Sequence, residues 1–239
     1  MKELVIVTGA SSGIGRELAR RFSAEGHPVL MLARRREIME EMHLPHTMCH
    51  SVDVTDLSAM EAAVQEAEAV CGPAGLLVNC AGLMLLGHPE SQDFEEWSRM
   101  IDVNVKGVLA GVKSVLAGMM ERRSGTVINI SSTAGRKTYV NHSVYCGTKF
   151  AVHAMTESLR KEAASHNVRF ITIAPGVVET ALLSHTSDEA IKKDYNVWKE
   201  SIHGGLAPSQ VADCILFAYR MPQDVCVREI VIAKTAQED

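Results

Sequence analysis

The chain has 239 residues, a mass of 26.0 kDa and a formal charge of −5. With 46% apolar and 22% charged residues it is neither disordered nor fibrous, and its acidic balance argues against a nucleic-acid partner. A chain of this length buries about 70% or more of its unfolded surface, so it needs no metal or disulfide staple. Uninterrupted apolar windows fall short of the roughly 18 residues that a membrane span requires. The opening run Leu4-Val5-Ile6-Val7 is too short for a signal-peptide core. Cys49, Cys71, Cys80, Cys146, Cys214 and Cys226 show no CxxC spacing and read as reduced thiols, which points to the cytoplasm.

Strand and helix patterns alternate from the start. Leu4–Thr8 reads as a strand, Ile14–Glu25 as a helix, and Val29–Ala33 and Thr47–Ser51 as two further strands. Leu57–Val70 places Leu57, Met60, Val64, Ala67 and Val70 on one helical face. Leu76–Asn79 is a strand, and Phe94–Met120 reads as two helices meeting near Asp102. Then come strand Thr126–Ile130, helix Val144–Ala164, strand Val168–Ala174, helix Pro208–Tyr219 and strand Glu229–Ile232. Near-continuous apolar strands are covered on both faces. Strict alternation therefore predicts a doubly wound, parallel, seven-stranded α/β sheet of the Rossmann type, in one domain over residues 1–239. Only Thr180–Leu206 looks irregular. It follows a strand end, where open α/β sheets bind ligands, so a mobile flap there would choose the substrate.

Strand one runs into Thr8-Gly9-Ala10-Ser11-Ser12-Gly13-Ile14-Gly15 and a helix follows at once. Glycines let backbone approach a bulky anion, and a helix N-terminus supplies free N–H groups. A tight turn without a ligand is the bland alternative, but such a turn rarely needs three glycines with Thr and two Ser. The spacing is GxxxGxG and not GxGxxG. It resembles the cofactor turn of the short-chain dehydrogenase/reductase family. Asp53, Asn79-Cys80-Ala81-Gly82, Ser132 with Tyr145-x-x-x-Lys149, and Pro175-Gly176 with Thr180 extend the resemblance over almost the whole chain.

NAD-binding enzymes place an acidic residue at the end of strand two. Here Ala33-Arg34-Arg35-Arg36 stands there, and guanidinium groups pair with a 2′-phosphate. NADP(H) is therefore the expected cofactor, with Arg34 and Arg35 as its clamp. The plain alternative, a solvated helix start, is opposed by the helix dipole. By resemblance, Asp53 and Val54 meet the adenine, while Gly9, Ser11, Ser12, Gly13, Ile14 and Gly15 hold the pyrophosphate. Asn79, Ala81 and Gly82 line the cofactor, and Pro175, Gly176, Val177 and Thr180 frame the carboxamide. Cys80 departs from the family, where a second Asn is common.

Tyr145 and Lys149 stand one helical turn apart on one face. A free tyrosine has a pKa of about 10, and lowering it by about 3 units requires about 4 kcal/mol of preference for the phenolate. A neighbouring ammonium and an oxidised nicotinamide ring are the expected sources. The resemblance makes Tyr145 the general acid/base, with Ser132 as donor to the reacting carbonyl. It gives Lys149 the ribose hydroxyls and the phenol's acidity, and Asn104 a water that refills the proton through Lys149. The bland alternatives are a half-exposed helix face for YxxxK and an ordinary helix amide for Asn104. Ser131 would point away from Ser132.

The implied reaction moves a hydride between nicotinamide and a small or medium alcohol or carbonyl compound, which includes 3-hydroxy acids. Met84, Ala134, Tyr139, Val140 and Val177, with Ser132 and Tyr145, are the expected substrate wall. A catalytically inactive NADP-binding regulator on the same fold is the alternative. Such proteins tend to lose the tyrosine or lysine, and both are present. An extended-branch sugar-nucleotide epimerase would need a different glycine spacing and a longer C-terminal half. His43, His46, Cys49 and His50 suggest a metal cluster, but Pro45 and strand alternation divide them, so no metal is expected. Cys146 reads as packing. Val103–Met120 and Phe150–Met155 are candidate faces for a homotetramer or homodimer, or simply core.

Overall fold

The computed structural model describes residues 2–238. Strands β1 Leu4–Thr8, β2 Val29–Ala33, β3 Thr47–Ser51, β4 Ala74–Asn79, β5 Gly125–Ile130, β6 Val168–Pro175 and β7 Glu229–Ile232 form one sheet. Their order is β3-β2-β1-β4-β5-β6-β7 and every pairing is parallel. The helices are α1 Gly13–Ala24, α2 Arg36–Glu40, α3 Leu57–Cys71, α4 Phe94–Ile101, α5 Gly107–Arg122, α6 Ser143–Ala163, α7 Glu189–Ser201 and α8 Pro208–Tyr219. This is the doubly wound α/β architecture that the alternating pattern implies.

Residue alternation along β1 divides the core. Val5 and Val7 face Leu18 and Phe22 of α1 and Val211 and Ile215 of α8. Leu4 and Ile6 face Met60 and Val64 of α3 and Val112 and Val115 of α5. Strand side chains alternate faces, so a continuous apolar strand must be covered on both sides. The strand order reverses beside β1, which opens a crevice at the carboxyl ends of β1 and β4.

The helical run Phe94–Met120 does break at Asp102, where a π-helical turn spans Asp102–Lys106. By length and composition alone, Phe94–Arg122 could cross a membrane. In the fold, Val108, Val112, Val115 and Met119 bury one side of α5 on the sheet, as a core helix does. The stretch Thr180–Leu206 is more regular than expected. It holds a 3-10 turn, Ala181–His185, and the 13-residue α7. Asp188 caps α7 by accepting from the Ala190 and Ile191 amides at 2.9 and 3.0 Å. The stem is tied by the Glu179 amide to the Leu206 carbonyl at 2.8 Å, and by the Leu206 amide to the Val177 carbonyl at 2.7 Å. In β3, Cys49 packs on Met31 while His50 faces Glu66. No group of three or more His, Cys, Asp or Glu able to hold a metal occurs among the described residues.

Phe22 is fully buried, with its ring edge-on to His27 and Tyr219 at 5.5 and 5.7 Å between centroids. Phe22→Ala leaves a cavity beneath α1 and costs about 3–5 kcal/mol in urea unfolding. A loss below about 1 kcal/mol would mean that this face repacks freely.

Candidate active site

At the crevice, the Thr8 hydroxyl accepts from the Cys80 and Ala81 amides at 3.0 and 3.1 Å, tying the loop after β4 to the end of β1. The next residue must be glycine, because a Cβ on Gly9 would stand 2.9 Å from Ala81 backbone atoms. A Cβ on Gly13 would meet the Thr180 methyl at 2.9 Å, and Gly13 has φ +53°. A Cβ on Gly15 would lie 2.5 Å from the Gly9 carbonyl oxygen. The three glycines thus let turn, helix and opposite wall close on one another. Ser12 begins α1 without a capping hydrogen bond from its side chain, and the first turn holds no acidic residue. Exposed N–H groups of this kind suit an anion.

A cavity of about 910 Å³ opens from this turn. Gly9, Ser11, Ser12, Gly13, Ile14, Arg34, Arg35, Asp53, Val54, Ala81, Gly82, Pro175, Gly176, Val177 and Thr180 all border it. Arg35 Nη2 lies 3.4 Å from the Ser11 hydroxyl, which brings the end of β2 to the glycine turn. Asp53 Oδ1 accepts from the Thr55 amide and hydroxyl at 3.0 and 2.8 Å, and these bonds hold its pKa below the usual carboxylate value. Asp56, not Asp53, caps α3, accepting from the Ala59 amide at 3.0 Å.

Two expected cofactor residues do not border the cavity. Gly15 is taken up in the approach to Gly9. Asn79 turns its amide into the core, donating to Asn129 Oδ1 at 2.9 Å and to the Val108 carbonyl at 3.3 Å. Its Oδ1 is buried without a hydrogen-bond partner, against Gly111 of α5.

At the other end of the cavity stand Ser132, Tyr145 and Lys149. Tyr145 is 5% exposed and Lys149 6%. Lys149 Nζ donates to the Ile130 carbonyl at 3.0 Å and lies 5.7 Å from the centre of the Tyr145 ring. Ser132 accepts from the Ala134 amide at 3.1 Å, and its hydrogen bond to the Tyr145 phenol favours ionisation. Burial wins over that bond. It pushes the phenol above its ordinary value of 10 and the Lys149 ammonium down to about 8. The unusually acidic phenol expected from sequence is therefore not made by the protein's own groups.

Ser131 does point away, to His153 at 2.9 Å and the Lys149 carbonyl at 3.2 Å. Asn104 does not border the cavity. The π-helical turn aims its amide at the backbone N–H and carbonyl of Leu83, both at 2.8 Å, and at the Thr148 hydroxyl at 3.1 Å. It fastens the β4 loop to α6 from outside the cavity.

Met84, Ala134, Tyr139, Val140 and Val177 border the reacting end, Val140 at the exposed rim. Sequence reasoning placed His185, Tyr195 and Trp198 within the expected flap without singling them out, and passed over Arg99, His142 and Gln237; all six border the cavity. Ile191, Tyr195 and Trp198 repeat at four and three, a helical signal present in the sequence. Gln237 carried none. Its side-chain oxygen accepts from the Val177 amide at 3.1 Å.

The family model described as short chain dehydrogenase matches residues 3–190. The chain belongs to that family. An uncharacterised oxidoreductase of Staphylococcus saprophyticus is 37% identical over 98% of this chain and 97% of that one. A glycine betaine reductase of Emericella nidulans is 38% identical over 96% of this chain, which corresponds to 18% of that longer protein. A serine dehydrogenase solved in a closed form with NADP+ matches with a TM-score of 0.90 at 31% identity, over 99% of this chain and 96% of that one. This short-chain dehydrogenase is accordingly an oxidoreductase.

Two outcomes test the site. Thr8→Val keeps the shape but strips two amides of their acceptor, and costs about 1–3 kcal/mol in chemical unfolding. In ligand-free protein, folded Lys149 releases its proton near pH 8 and the unfolded chain near 10.5. The unfolded state then holds more protons between those values, so this contribution to stability rises with pH across that window. Tyr145, shifted upward, works the other way above pH 10. Urea unfolding from pH about 7 to 10 should show the rise in the native chain and lose it in Lys149→Met.

Proposed function

We propose that this chain is an NADP(H)-dependent reductase and dehydrogenase of a small or medium alcohol and its carbonyl counterpart, with Tyr145 as general acid and base. The observation that carries this reading is one cavity with Arg34 and Arg35 at one end and Ser132, Tyr145 and Lys149 at the other. The glycine cradle, closed to any Cβ, fits a dinucleotide pyrophosphate. Arg34 and Arg35 suit a 2′-phosphate, and the NADP+ held by the related serine dehydrogenase supports the choice. Asp53 and Val54 would hold the adenine end. Ala81, Gly82, Lys149, Pro175, Gly176, Val177 and Thr180 would hold the nicotinamide half.

When bound, that cofactor would supply or accept the hydride, and its oxidised form would add positive charge to the cleft. The chain's own residues do the proton work. Ser132 and Tyr145 donate hydrogen bonds to the substrate carbonyl oxygen and fix its direction. Tyr145 delivers its proton to that oxygen during reduction and takes the carbinol proton during oxidation. Ser132 steadies the negative charge that develops there. Lys149, anchored on Ile130, holds its ammonium under the phenol ring, and near-complete burial of both groups keeps bulk water out. The regulator read as an alternative would have no use for a buried phenol and ammonium in contact. A second copy is the proposed macromolecular partner, through α5 and α6, where Leu109 and Phe150 stand 41% and 42% exposed.

Tyr145→Phe should bind NADPH with unchanged affinity by fluorescence titration while kcat falls at least about 1000-fold. Retained turnover would end the mechanism. Replacing Arg34 and Arg35 by Ala should raise KM for NADPH roughly 30-fold or more and leave KM for NADH within about twofold. An equal response of the two cofactors would refute the arginine assignment.

A further inference from the structure

The cavity has two chemically different ends. At the glycine turn, His185 lies in the positive field of Arg34, Arg35 and Arg99, which with burial lowers its pKa. Toward the phenol, the Lys149 ammonium is bonded to the Ile130 carbonyl beneath the Tyr145 ring, and the α7 wall facing it offers no unpaired cation among the described residues. Lys199 is paired with Glu179 at 3.0 Å, and burial lowers the pKa of His142, favouring its neutral form. Beside the aliphatic Met84, Leu182 and Leu183, a group of rings lines that end. Tyr139 and His142 lie 5.6 Å apart between centroids, His142 and Tyr145 6.3 Å, His142 and Tyr195 6.2 Å, and Tyr195 and Trp198 5.4 Å. Their planes meet at 31° to 71°, so they make a curved wall and not a flat stack. Asp194, next to Tyr195 on α7, borders the same space and joins no ion pair among the described residues.

We propose that the substrate carries a quaternary ammonium group beside its alcohol or carbonyl carbon, and that this aromatic wall with Asp194 receives it. The inference deepens the proposed function and rests on it. Ring faces are negative and attract cations that hold water weakly, and a quaternary nitrogen has no N–H to lose on leaving water. A carboxylate set against α7 would be repelled by Asp194, and Lys199, the neighbouring cation on that helix, is engaged by Glu179. A purely aliphatic substrate would gain nothing from Asp194. The net change is unaltered: the hydroxyl carbon loses a hydride to NADP+ and its oxygen a proton to Tyr145, giving an aldehyde, or the reverse.

Calorimetric titration of choline and of 3,3-dimethylbutan-1-ol, its uncharged isostere, into NADPH-saturated protein, where the alcohol has no hydride acceptor, tests this without turnover. Choline should bind roughly tenfold tighter, and Trp198→Leu and Asp194→Asn should each cut that preference to about threefold or less. Asp194 is exposed, so its variant keeps the test open if Trp198→Leu misfolds. Equal or weaker choline binding overturns the proposal. With NADPH, betaine aldehyde should exceed 3,3-dimethylbutanal in kcat/KM by a similar factor. A faster neutral aldehyde overturns the cation site and leaves the reductase standing. Choline preference with no aldehyde reduced upholds the cation site and sinks the catalytic reading.

Discussion

The Lys149 ammonium, almost wholly out of water, donates to the Ile130 carbonyl at the end of β5 and lies against the ring of Tyr145. A buried charge with one neutral hydrogen-bond acceptor is costly, and the depressed lysine value expresses that cost. The same burial makes phenolate unfavourable. Burial thus disfavours the charged form of both groups. On the proposed function, cofactor binding and acid–base competence are one event: positive charge arriving in the cleft is what turns a sluggish phenol into a working one.

What places that pair is the sheet. β5 ends at Ile130, Ser132 turns toward the cleft and Ser131 away from it, and α6 returns so that residues four apart both look inward. Thr8 and the three glycines do the equivalent work two strands away, drawing the turn after β1 and the loop after β4 into contact. Asn104 ties that loop to α6 from behind. Chemistry-bearing side chains from β5 and α6 therefore share a wall with a glycine turn more than a hundred residues earlier in the chain.

The central strands were legible because both-face burial leaves a near-continuous apolar run, and β1 and β2 match residue for residue; the edge strands β3 and β7 match too, although they are only partly buried. The glycine turn, Ser132, Tyr145 and Lys149 were legible because their chemistry restricts residue type. Four things were not. Asn79 sits in a glycine-rich family segment, yet its amide turns into the core, which spacing cannot report. Asn104 occupies a π-helical turn, which re-aims its side chain by a fraction of a turn that periodicity does not resolve. The helix α7 was visible in Asp188 and in the repeat of Ile191, Tyr195 and Trp198, but the polar residues between them masked it. The direction of the phenol's shift was also out of reach, since it depends on burial and not on which cation is adjacent in sequence.

Gln237 bends the residues after β7 back so that a side chain near the carboxyl end becomes part of the cleft wall. The segment ahead of β1 emerges where the strands begin, across the sheet from that wall. An affinity tag or fluorescent fusion joined after residue 239 would start within two residues of Gln237 and tug on the Val177 amide. Residues entering β1 lie at the opposite ends of the strands, away from the cleft, so a change there leaves the Val177 amide alone.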